Sequence, residues 1–280
     1  MRHFAAALAA VLAAFACAAF AAPPQRIISL IPSTTEMLFA MGAGNRVIAV
    51  GTYDHFPADV EKLPRVGALL DPNTERILTM KPDLVVLYGT QTELVTALDR
   101  AKIPYYAYQH MGLPDITQTI RTLGARAGSS VQANALAARI EKQLSDIKAS
   151  TATLDHPKTL LVFGREPGSL RDIDASGGIG FLHDMLLTAG GTDVLADMRQ
   201  QSVMMSTEMV LVRAPDIIIE IHSPTDSGGT NDLSAWNTLA SVPAVRTHRV
   251  YSLTGDEFVI PGPRVASATE RMAKTLHPKM

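Results

Sequence analysis

One sequence pattern occurs twice in this chain, at residues 73–88 and again at residues 206–221. Each copy has a residue that can cap a helix, then Thr and Glu, a short apolar turn, Pro-Asp and an aliphatic run. The capping residue accepts a hydrogen bond from a free backbone N–H, and a glutamate is favourable near the positive end of the helix dipole. Proline then ends the helix, and the aliphatic run predicts a buried strand. The pattern therefore predicts two similar α/β units.

The two repeated carboxylates belong to Glu75 and Glu208. Capping alone does not require glutamate at both positions, because Asp, Gln or Ser would also be favourable near a helix start. Chance repetition of a capping glutamate is one interpretation. The favoured interpretation is that two related lobes each present one carboxylate at the start of a helix.

The first 21 residues have the composition of an export signal. A short positive start at Arg2 and His3 precedes an Ala-rich apolar run, and Ala19-Phe20-Ala21 fits the small-x-small cleavage pattern. We therefore expect export to the periplasm and cleavage before Ala22. A membrane anchor is the alternative, but the run is short and mostly alanine.

The only cysteine, Cys17, lies inside this segment, so the mature chain is expected to contain no disulfide and no thiol nucleophile. Acylation of Cys17 would make a lipoprotein instead. That alternative is disfavoured because Phe15 is bulky where a lipoprotein signal has a small residue.

The charge of the chain is nearly balanced, with 25 basic and 27 acidic residues. Cleavage removes Arg2 and no acid, which leaves 24 basic and 27 acidic residues and a net charge of −3. The chain has no basic surplus of the kind that binds nucleic acid. At 280 residues it is long enough to form one large or two modest domains.

Strands alternate with helices along most of the chain, which predicts parallel sheets covered on both faces. Residues 131–148 interrupt this order with a long helix that has apolar residues at helical spacing, among them Leu136, Ile140 and Ile147, and no internal Gly or Pro. We therefore predict an α/β fold with two Rossmann-like lobes joined by one long backbone helix. The predicted divisions are a signal peptide at 1–21, a first lobe at 22–127, the interlobe helix at 128–150 and a second lobe at 151–280.

Enzyme motifs are absent from the sequence. It has no dinucleotide-binding glycine pattern after a strand, no Walker loop, no nucleophile elbow and no histidine pair at metal-binding spacing. We therefore expect no catalytic residue, no resident metal and no cofactor. Two other functions stay open: an exported enzyme with Asp54, His55 or Glu166 as acid–base groups, and an adhesion or signalling module.

Open α/β sheets bind ligands at the loops that follow their strands, and several such loops here carry recognition chemistry. The predicted ligand-binding residues in these loops are Ser33, Thr34, Tyr53, Asp54, His55, Tyr88, Arg165, Asp256 and Phe258. Aromatic rings would pack on a flat or apolar ligand, and Arg165 would meet an anionic group. The alternatives are that Phe258 is a core residue and that Arg165 pairs with Glu166 or Asp172. Ser33 is also predicted to form a capping box with Glu36 at a helix that begins near Pro32.

The chain resembles the substrate-binding proteins of ABC importers that carry cobalamin, iron–siderophore complexes or haem. The resemblance rests on residues 26–30 with Thr35-Glu36, on residues 73–85, and on Ser206-Thr-Glu with Ala214-Pro-Asp. It implies that Glu75 and Glu208 dock onto the two subunits of a permease dimer. It also implies that a stiff interlobe helix limits closure of the lobes around the ligand.

The resemblance favours a corrinoid ligand, with an iron–siderophore complex as the alternative. Tyr53, Tyr88 and Phe258 stand where cobalamin binders have cleft aromatics, whereas Leu69, Ser202 and Glu257 stand where such proteins tend to have tryptophan. Haem binders of this type use a tyrosine in the segment held here by residues 66–69, which contains none. Haem is therefore disfavoured unless Tyr53, Tyr88 or His55 ligates the iron instead.

Overall fold

The computed structural model describes residues 22–110, 112–224 and 232–280. The predicted signal peptide, including Cys17, lies outside these residues. The described chain forms two α/β lobes, which confirms the predicted fold class. No helix in the described ranges is both long enough and apolar enough to cross a lipid bilayer.

The first lobe is built on a four-stranded parallel sheet in the order β2-β1-β3-β4. The strands are β1 (Ile27–Ser29), β2 (Val47–Val50), β3 (Leu84–Tyr88) and β4 (Tyr105–Tyr108). The helices are α1 (Pro32–Ala40), α2 (Thr74–Thr79), α3 (Thr92–Ala101) and α4 (Leu113–Arg126), with short 3₁₀ turns at Gly44–Arg46 and Ala58–Lys62. The aliphatic residues of β1 and β3 are buried because helices cover both faces of a parallel sheet.

The predicted capping box at α1 is wrong. Helix α1 begins at Pro32, its N-cap residue is Ile31, and no side chain caps it. Proline is favourable at the first helical position because its missing N–H is not needed there. This start places Ser33 inside the first turn, and Glu36 instead forms an ion pair with Arg264 of the second lobe.

One long helix, α5 (Ser130–Thr151), connects the two lobes, as predicted. It packs against α4 of the first lobe and against α6 (Phe181–Thr188) and α9 (Val265–Leu276) of the second. Its buried stripe contains Leu136, Ile140 and Ile147. Helical packing on both sides makes α5 a structural element of the molecule rather than a loose linker.

The second lobe contains a mixed sheet, which corrects the prediction that both sheets are parallel. Its strands are β5 (Lys158–Gly164), β6 (Ile173–Ser176), β7 (Thr192–Asp193), β8 (Ser202–Met205), β9 (Ile217–His222) and β10 (Val250–Thr254). They follow the order β10-β9-β5-β6-β8, and β7 pairs with β5 outside that path. The pairs β5–β6 and β6–β8 are antiparallel, and the others are parallel. The remaining helical segments are α7 (Thr207–Arg213), α8 (Pro243–Arg246) and 3₁₀ turns at Leu233–Leu239 and Asp256–Phe258.

The two copies of the repeated pattern adopt the same structure. Asn73 caps α2 through the backbone N–H of Arg76, and Ser206 caps α7 through the backbone N–H of Met209. In the sheets, Ile27 pairs with Leu84 as Thr159 pairs with Ile217. The same correspondence continues on the next strand, where Val85 pairs with Tyr105 and Ile218 pairs with Val250.

The aspartate of each Pro-Asp pair binds the backbone at the start of the neighbouring strand. The Asp83 carboxylate accepts hydrogen bonds from the N–H groups of Gln25 and Arg26, at 2.7 and 2.8 Å. The Asp216 carboxylate accepts one from Lys158 N–H at 3.0 Å. The repeat therefore includes a structural carboxylate in each lobe as well as the exposed glutamate.

Candidate functional site

The candidate site is a cleft between the two lobes. Its main cavity encloses about 500 Å³, with His110 from the first lobe and Phe163, Phe181 and Val259 from the second among its lining residues. A smaller cavity of about 160 Å³ has Tyr53 and His55 on one side and Asp256 and Val259 on the other. The two cavities share Ser223 and Val259, so they are adjacent parts of one cleft.

Three of the predicted ligand-binding residues line this cleft. Tyr53 is 68% exposed, and its ring lies at the smaller cavity together with His55 and Asp256. His55 Nδ1 lies 2.9 Å from a Glu61 oxygen, and the Ser223 hydroxyl donates to Asp256 at 2.7 Å. Tyr88 is not among the lining residues of either cavity; it is half-buried, with its ring centroid 5.6 Å from that of Tyr108.

Four other predicted ligand-binding residues are buried, so their side chains offer little surface to a ligand in this conformation: Ser33, Thr34, Asp54 and Phe258. The Thr34 hydroxyl lies 3.0 Å from the hydroxyl of Ser29 and donates to the carbonyl of Ile31. Phe258 is a core residue with the Arg271 guanidinium 4.8 Å from its ring centroid. The early start of α1 accounts for the burial of Ser33 and Thr34, and the packing of the Asp256–Phe258 turn against α9 accounts for that of Phe258.

The ninth predicted ligand-binding residue, Arg165, is held in a buried ion pair with Glu220. The Arg165 and Glu220 side chains are 5% and 1% exposed, and the ion-pair distance is 2.5 Å. Trp236 also donates its indole N–H to Glu220, and Arg165 donates to the carbonyl of Asp232. The ionic partner of Arg165 is therefore Glu220 rather than Glu166 or Asp172, and Glu166 pairs with Arg171. Arg165 thus has a structural environment rather than the surroundings of a free anion-binding group.

The first lobe has a group of buried polar atoms behind the cleft that lack hydrogen-bond partners within the described residues. They are the hydroxyls of Ser33, Thr35 and Tyr108, the carboxylate of Asp54 and both ring nitrogens of His110. Ser33 lies near Tyr108, and Thr35 lies near Asp54, but neither pair has good hydrogen-bond geometry. Such groups are costly to bury when they are unpaired.

Burial dominates the protonation equilibria of this group. It raises the pKa of Asp54 to about 7, although nearby Thr35 and Arg65 oppose the shift. It also raises the pKa of Tyr108 and lowers the pKa of His110, so the imidazole is neutral at neutral pH. The His110 ring stacks on Tyr108 and meets the ring of Phe181 edge-on, at a centroid distance of 5.5 Å. His110 therefore brings a neutral aromatic ring, not a positive charge, to the cavity.

An ionic network crosses between the lobes beside the smaller cavity. Arg264 donates to both carboxylate oxygens of Glu36, at 2.6 and 2.9 Å, and lies 3.3 Å from Glu257. Arg271 also pairs with Glu257. Burial raises the pKa of Glu36, and the two bonds from Arg264 oppose that rise. This network was not predicted from the sequence, because Glu36 and Arg264 are separated by more than two hundred residues in the chain.

The repeated glutamates lie at corresponding places on the two lobes. Glu75 and Glu208 are both exposed, each in the first turn of a short helix, α2 or α7. Asn73, which caps α2, bonds to Val66, and Val66 bonds to Val50 at the end of β2. Met205, just before the cap of α7, pairs with Ile173 beside the end of β5. Each glutamate therefore lies at the edge where the parallel strands of its lobe end.

The described residues contain no group of side chains that could hold a metal ion, and the three acid–base candidates of the enzyme alternative do not pair with one another. Within residues 22–110, 112–224 and 232–280, no three His, Cys, Asp or Glu side chains are grouped to hold a metal ion. The acid–base candidates of the enzyme alternative are engaged separately: Asp54 is buried, His55 pairs with Glu61, and Glu166 pairs with Arg171.

A family model described as periplasmic binding protein matches residues 27–257. A substrate-binding lipoprotein of an ABC transporter in Bacillus subtilis is 28% identical and covers 91% of this chain and 81% of its own length. The vitamin B12-binding protein of Yersinia pestis is 27% identical over 90% of this chain and 86% of its own.

Solved structures of binding proteins share the fold of this chain. The vitamin B12-binding protein of Vibrio cholerae matches with a TM-score of 0.77 at 26% identity, covering 92% of this chain and 99% of that one. The haem-binding protein of the same organism matches with a TM-score of 0.80 at 19% identity, covering 91% and 99%. The latter likeness concerns the fold alone.

Proposed function

Since the chain belongs to the periplasmic binding proteins of ABC importers, we propose that it captures a metal chelate between its two lobes and delivers it to an importer. The observation that carries the proposal is the cleft of about 500 Å³ between lobes that share a repeated unit and are joined by one helix. The chelate is cargo, and the protein has no catalytic role. An adhesion or signalling module would not require such a cleft.

A corrinoid is the favoured cargo. Support comes from the identity to vitamin B12-binding proteins along most of the chain and from the aromatic and aliphatic side chains of the main cavity. An iron–siderophore complex is the second candidate, since the solved structure of a possible iron-binding protein from Staphylococcus epidermidis shares the fold with a TM-score of 0.77. Haem is less favoured because residues 66–69 contain no tyrosine.

Isothermal titration of the mature protein tests this proposal. We expect one-to-one binding of cyanocobalamin, with no chemical change in the recovered ligand. Tight binding of a ferric trihydroxamate instead would reassign the cargo within the same class of transporter. If the protein binds neither of these chelates nor haemin, the proposal is wrong. Turnover of a bound ligand would favour the enzyme alternative.

The proposed partner is a permease dimer, which would be contacted through Glu75 and Glu208. The support is structural correspondence: the two glutamates are exposed, lie at the same place in the repeated unit and have no ion-pair partner among the described residues. A dimeric permease offers two equivalent surfaces, which matches one similar carboxylate per lobe.

Export to the periplasm completes the proposal, with the mature protein starting at Ala22. The charge pattern and the small-x-small site before Ala22 support this start. Mass spectrometry of the protein from the producing cell tests it. A mature N-terminus at a lipid-modified Cys17 would favour the lipoprotein alternative.

A further inference from the structure

We infer that the cleft selects a chelate that has amides rather than carboxylates around its ring and no net negative charge, and discriminates against carboxylate-bearing or net anionic chelates. This inference rests on the proposed function and specifies the class of its ligand. The charges that surround the cavity are the reason for it.

No lysine or arginine is found among the described residues that line the main cavity. Its polar groups are neutral: the hydroxyls of Ser176, Ser202 and Ser223, the amide of Gln201 and the imidazole of His110. The rest of the lining is aromatic or aliphatic, including Phe163, Phe181 and Ile221. Hydroxyl and amide groups donate to and accept from ligand amides equally well. A carboxylate in this cavity would be desolvated without an opposite charge.

The arginines near the cleft are already neutralised by carboxylates. Arg165 is paired with the buried Glu220, behind the cavity wall. Arg264 donates to both oxygens of Glu36, and Arg271 pairs with Glu257. A ligand anion would have to break one of these pairs, which would leave a carboxylate without its partner.

The acidic groups outnumber these arginines at the smaller cavity. Glu36, Asp256 and Glu257 surround Arg264 and Arg271, which gives this side of the cleft a net negative charge. Near His110 the charged neighbours are Asp115 and Asp184, which are also acidic. The field across the cleft therefore opposes a negative ligand at both ends.

The undescribed part of the second lobe adds no positive charge. Residues 225–231 contain one aspartate and no lysine or arginine. Arg199 lies in the exposed turn before β8 and is not a lining residue of either cavity. Among the described residues, neither cavity therefore has a lysine or arginine in its lining that could meet a buried ligand carboxylate.

A matched pair of ligands tests the inference. Cyanocobalamin is titrated in parallel with its monocarboxylic acid derivatives, in which one peripheral propionamide is hydrolysed to a carboxylate. A neutral ferric trihydroxamate and an anionic ferric tricatecholate form a second pair. For whichever pair binds, we expect the dissociation constant of the anionic member to be on the order of 100-fold higher at neutral pH. Equal affinity within the pair would overturn the inference while leaving the proposed function intact.

A positive charge introduced into the main cavity provides a second, independent test of the inference. Ser202 is exposed at the start of β8 and lines the main cavity. Ser202→Arg should reduce the ratio of the dissociation constants of the carboxylate and amide ligands by about tenfold. Thr96→Arg, on the exposed surface of α3, is the control and should leave this ratio unchanged. An unchanged difference in Ser202→Arg would count against the inference. If no chelate of either pair binds, the proposed function fails, and this inference fails with it.

Discussion

The first and second lobes share a three-stranded parallel unit in the same register, but they differ in the segment after its first strand. After β1 the chain enters helix α1 at Pro32, whereas after β5 it passes through Arg165 and returns as the antiparallel strand β6. The central strands differ as well, since Leu87 in β3 corresponds to Glu220 in β9. Both residues are buried. An ion pair in the second lobe thus occupies the position of an aliphatic side chain in the first.

The two lobes are thus alike in some regions and different in others. The repeated helix starts, with Glu75 and Glu208, are alike in the two lobes, as a partner with two equivalent subunits would require. The regions around the cleft are unlike: in the first lobe, buried polar groups without partners lie behind it, whereas the residues that the second lobe contributes to its lining are mainly apolar. A cargo without two-fold symmetry would require such a difference.

The largest expected effect is a loss of uptake when the glutamates common to the two lobes, Glu75 and Glu208, are removed. In a cell that depends on this protein for chelate uptake, Glu75→Ala and Glu208→Ala should each reduce uptake about tenfold, and the double variant about 100-fold, since a charge-assisted hydrogen bond contributes about 1.5–3 kcal/mol. Ligand affinity of the purified variants should not change. Glu93→Ala is the control, because Glu93 is an exposed glutamate in the first turn of α3, outside the repeat. Loss of ligand affinity in either variant would contradict the docking role.

The next effect concerns the position at which the lobes differ. Glu220→Leu copies Leu87 of the first lobe and should lower the free energy of unfolding by about 3–5 kcal/mol, because it leaves Arg165 buried without its counter-ion. The double variant Glu220→Leu/Arg165→Met should recover most of this loss. Urea unfolding followed by circular dichroism measures both. A single variant as stable as the parent would mean that the ion pair contributes little.

The third effect concerns Asp54, the buried carboxylate of the first lobe, which should make the free energy of unfolding depend on pH. The pKa of Asp54 is raised from 3.8 to about 7, so the folded state holds this proton more tightly than the unfolded state does. The free energy of unfolding therefore falls progressively as the pH rises from about 4 to about 7, because Asp54 must lose its proton in a buried site. Above pH 7 this loss of stability stays constant. Asp54→Asn should be more stable than the parent by about 4 kcal/mol at pH 8, and this difference should nearly vanish at pH 4. A pH-independent difference between the two proteins would rule out this origin.

The smallest effect concerns the aspartates of the two Pro-Asp pairs. Asp83→Ala should cost about 2 kcal/mol and Asp216→Ala about 1 kcal/mol, because Asp83 accepts two backbone N–H groups and Asp216 accepts one. Thermal unfolding of the two variants gives the comparison. A larger loss from Asp216→Ala would show that the bonds in the two lobes are not equivalent.

The sequence was most informative where local rules determine structure. The helix caps at Asn73 and Ser206, the strands after each Pro-Asp pair and the long helix α5 follow from short-range patterns, and the structure confirms them. Strands β6 and β8 were missed. They are short, and Ile173–Ser176 has no aliphatic run that would distinguish it from a loop. Their antiparallel pairing is a tertiary contact, which local propensity does not specify.

The cleft was only partly predictable for the same reason. Loop position correctly indicated that Tyr53, His55 and Asp256 lie between the lobes. It did not reveal that Arg165 pairs with Glu220, because the two residues lie 55 positions apart in the chain. It also gave Ser33 a capping role that Pro32 excludes by shifting the helix start. Burial and long-range pairing therefore determine which of the loop residues are accessible to a ligand.

The single tryptophan has a practical consequence for spectroscopy. Trp236 is fully buried in the second lobe, whereas five of the six tyrosines, all except Tyr251, belong to the first. Excitation at the red edge of the absorption band would report on one half of the molecule only, through a fluorophore hydrogen-bonded to Glu220. Emission and far-ultraviolet dichroism recorded during the same melt would therefore reveal whether the halves unfold together or in turn.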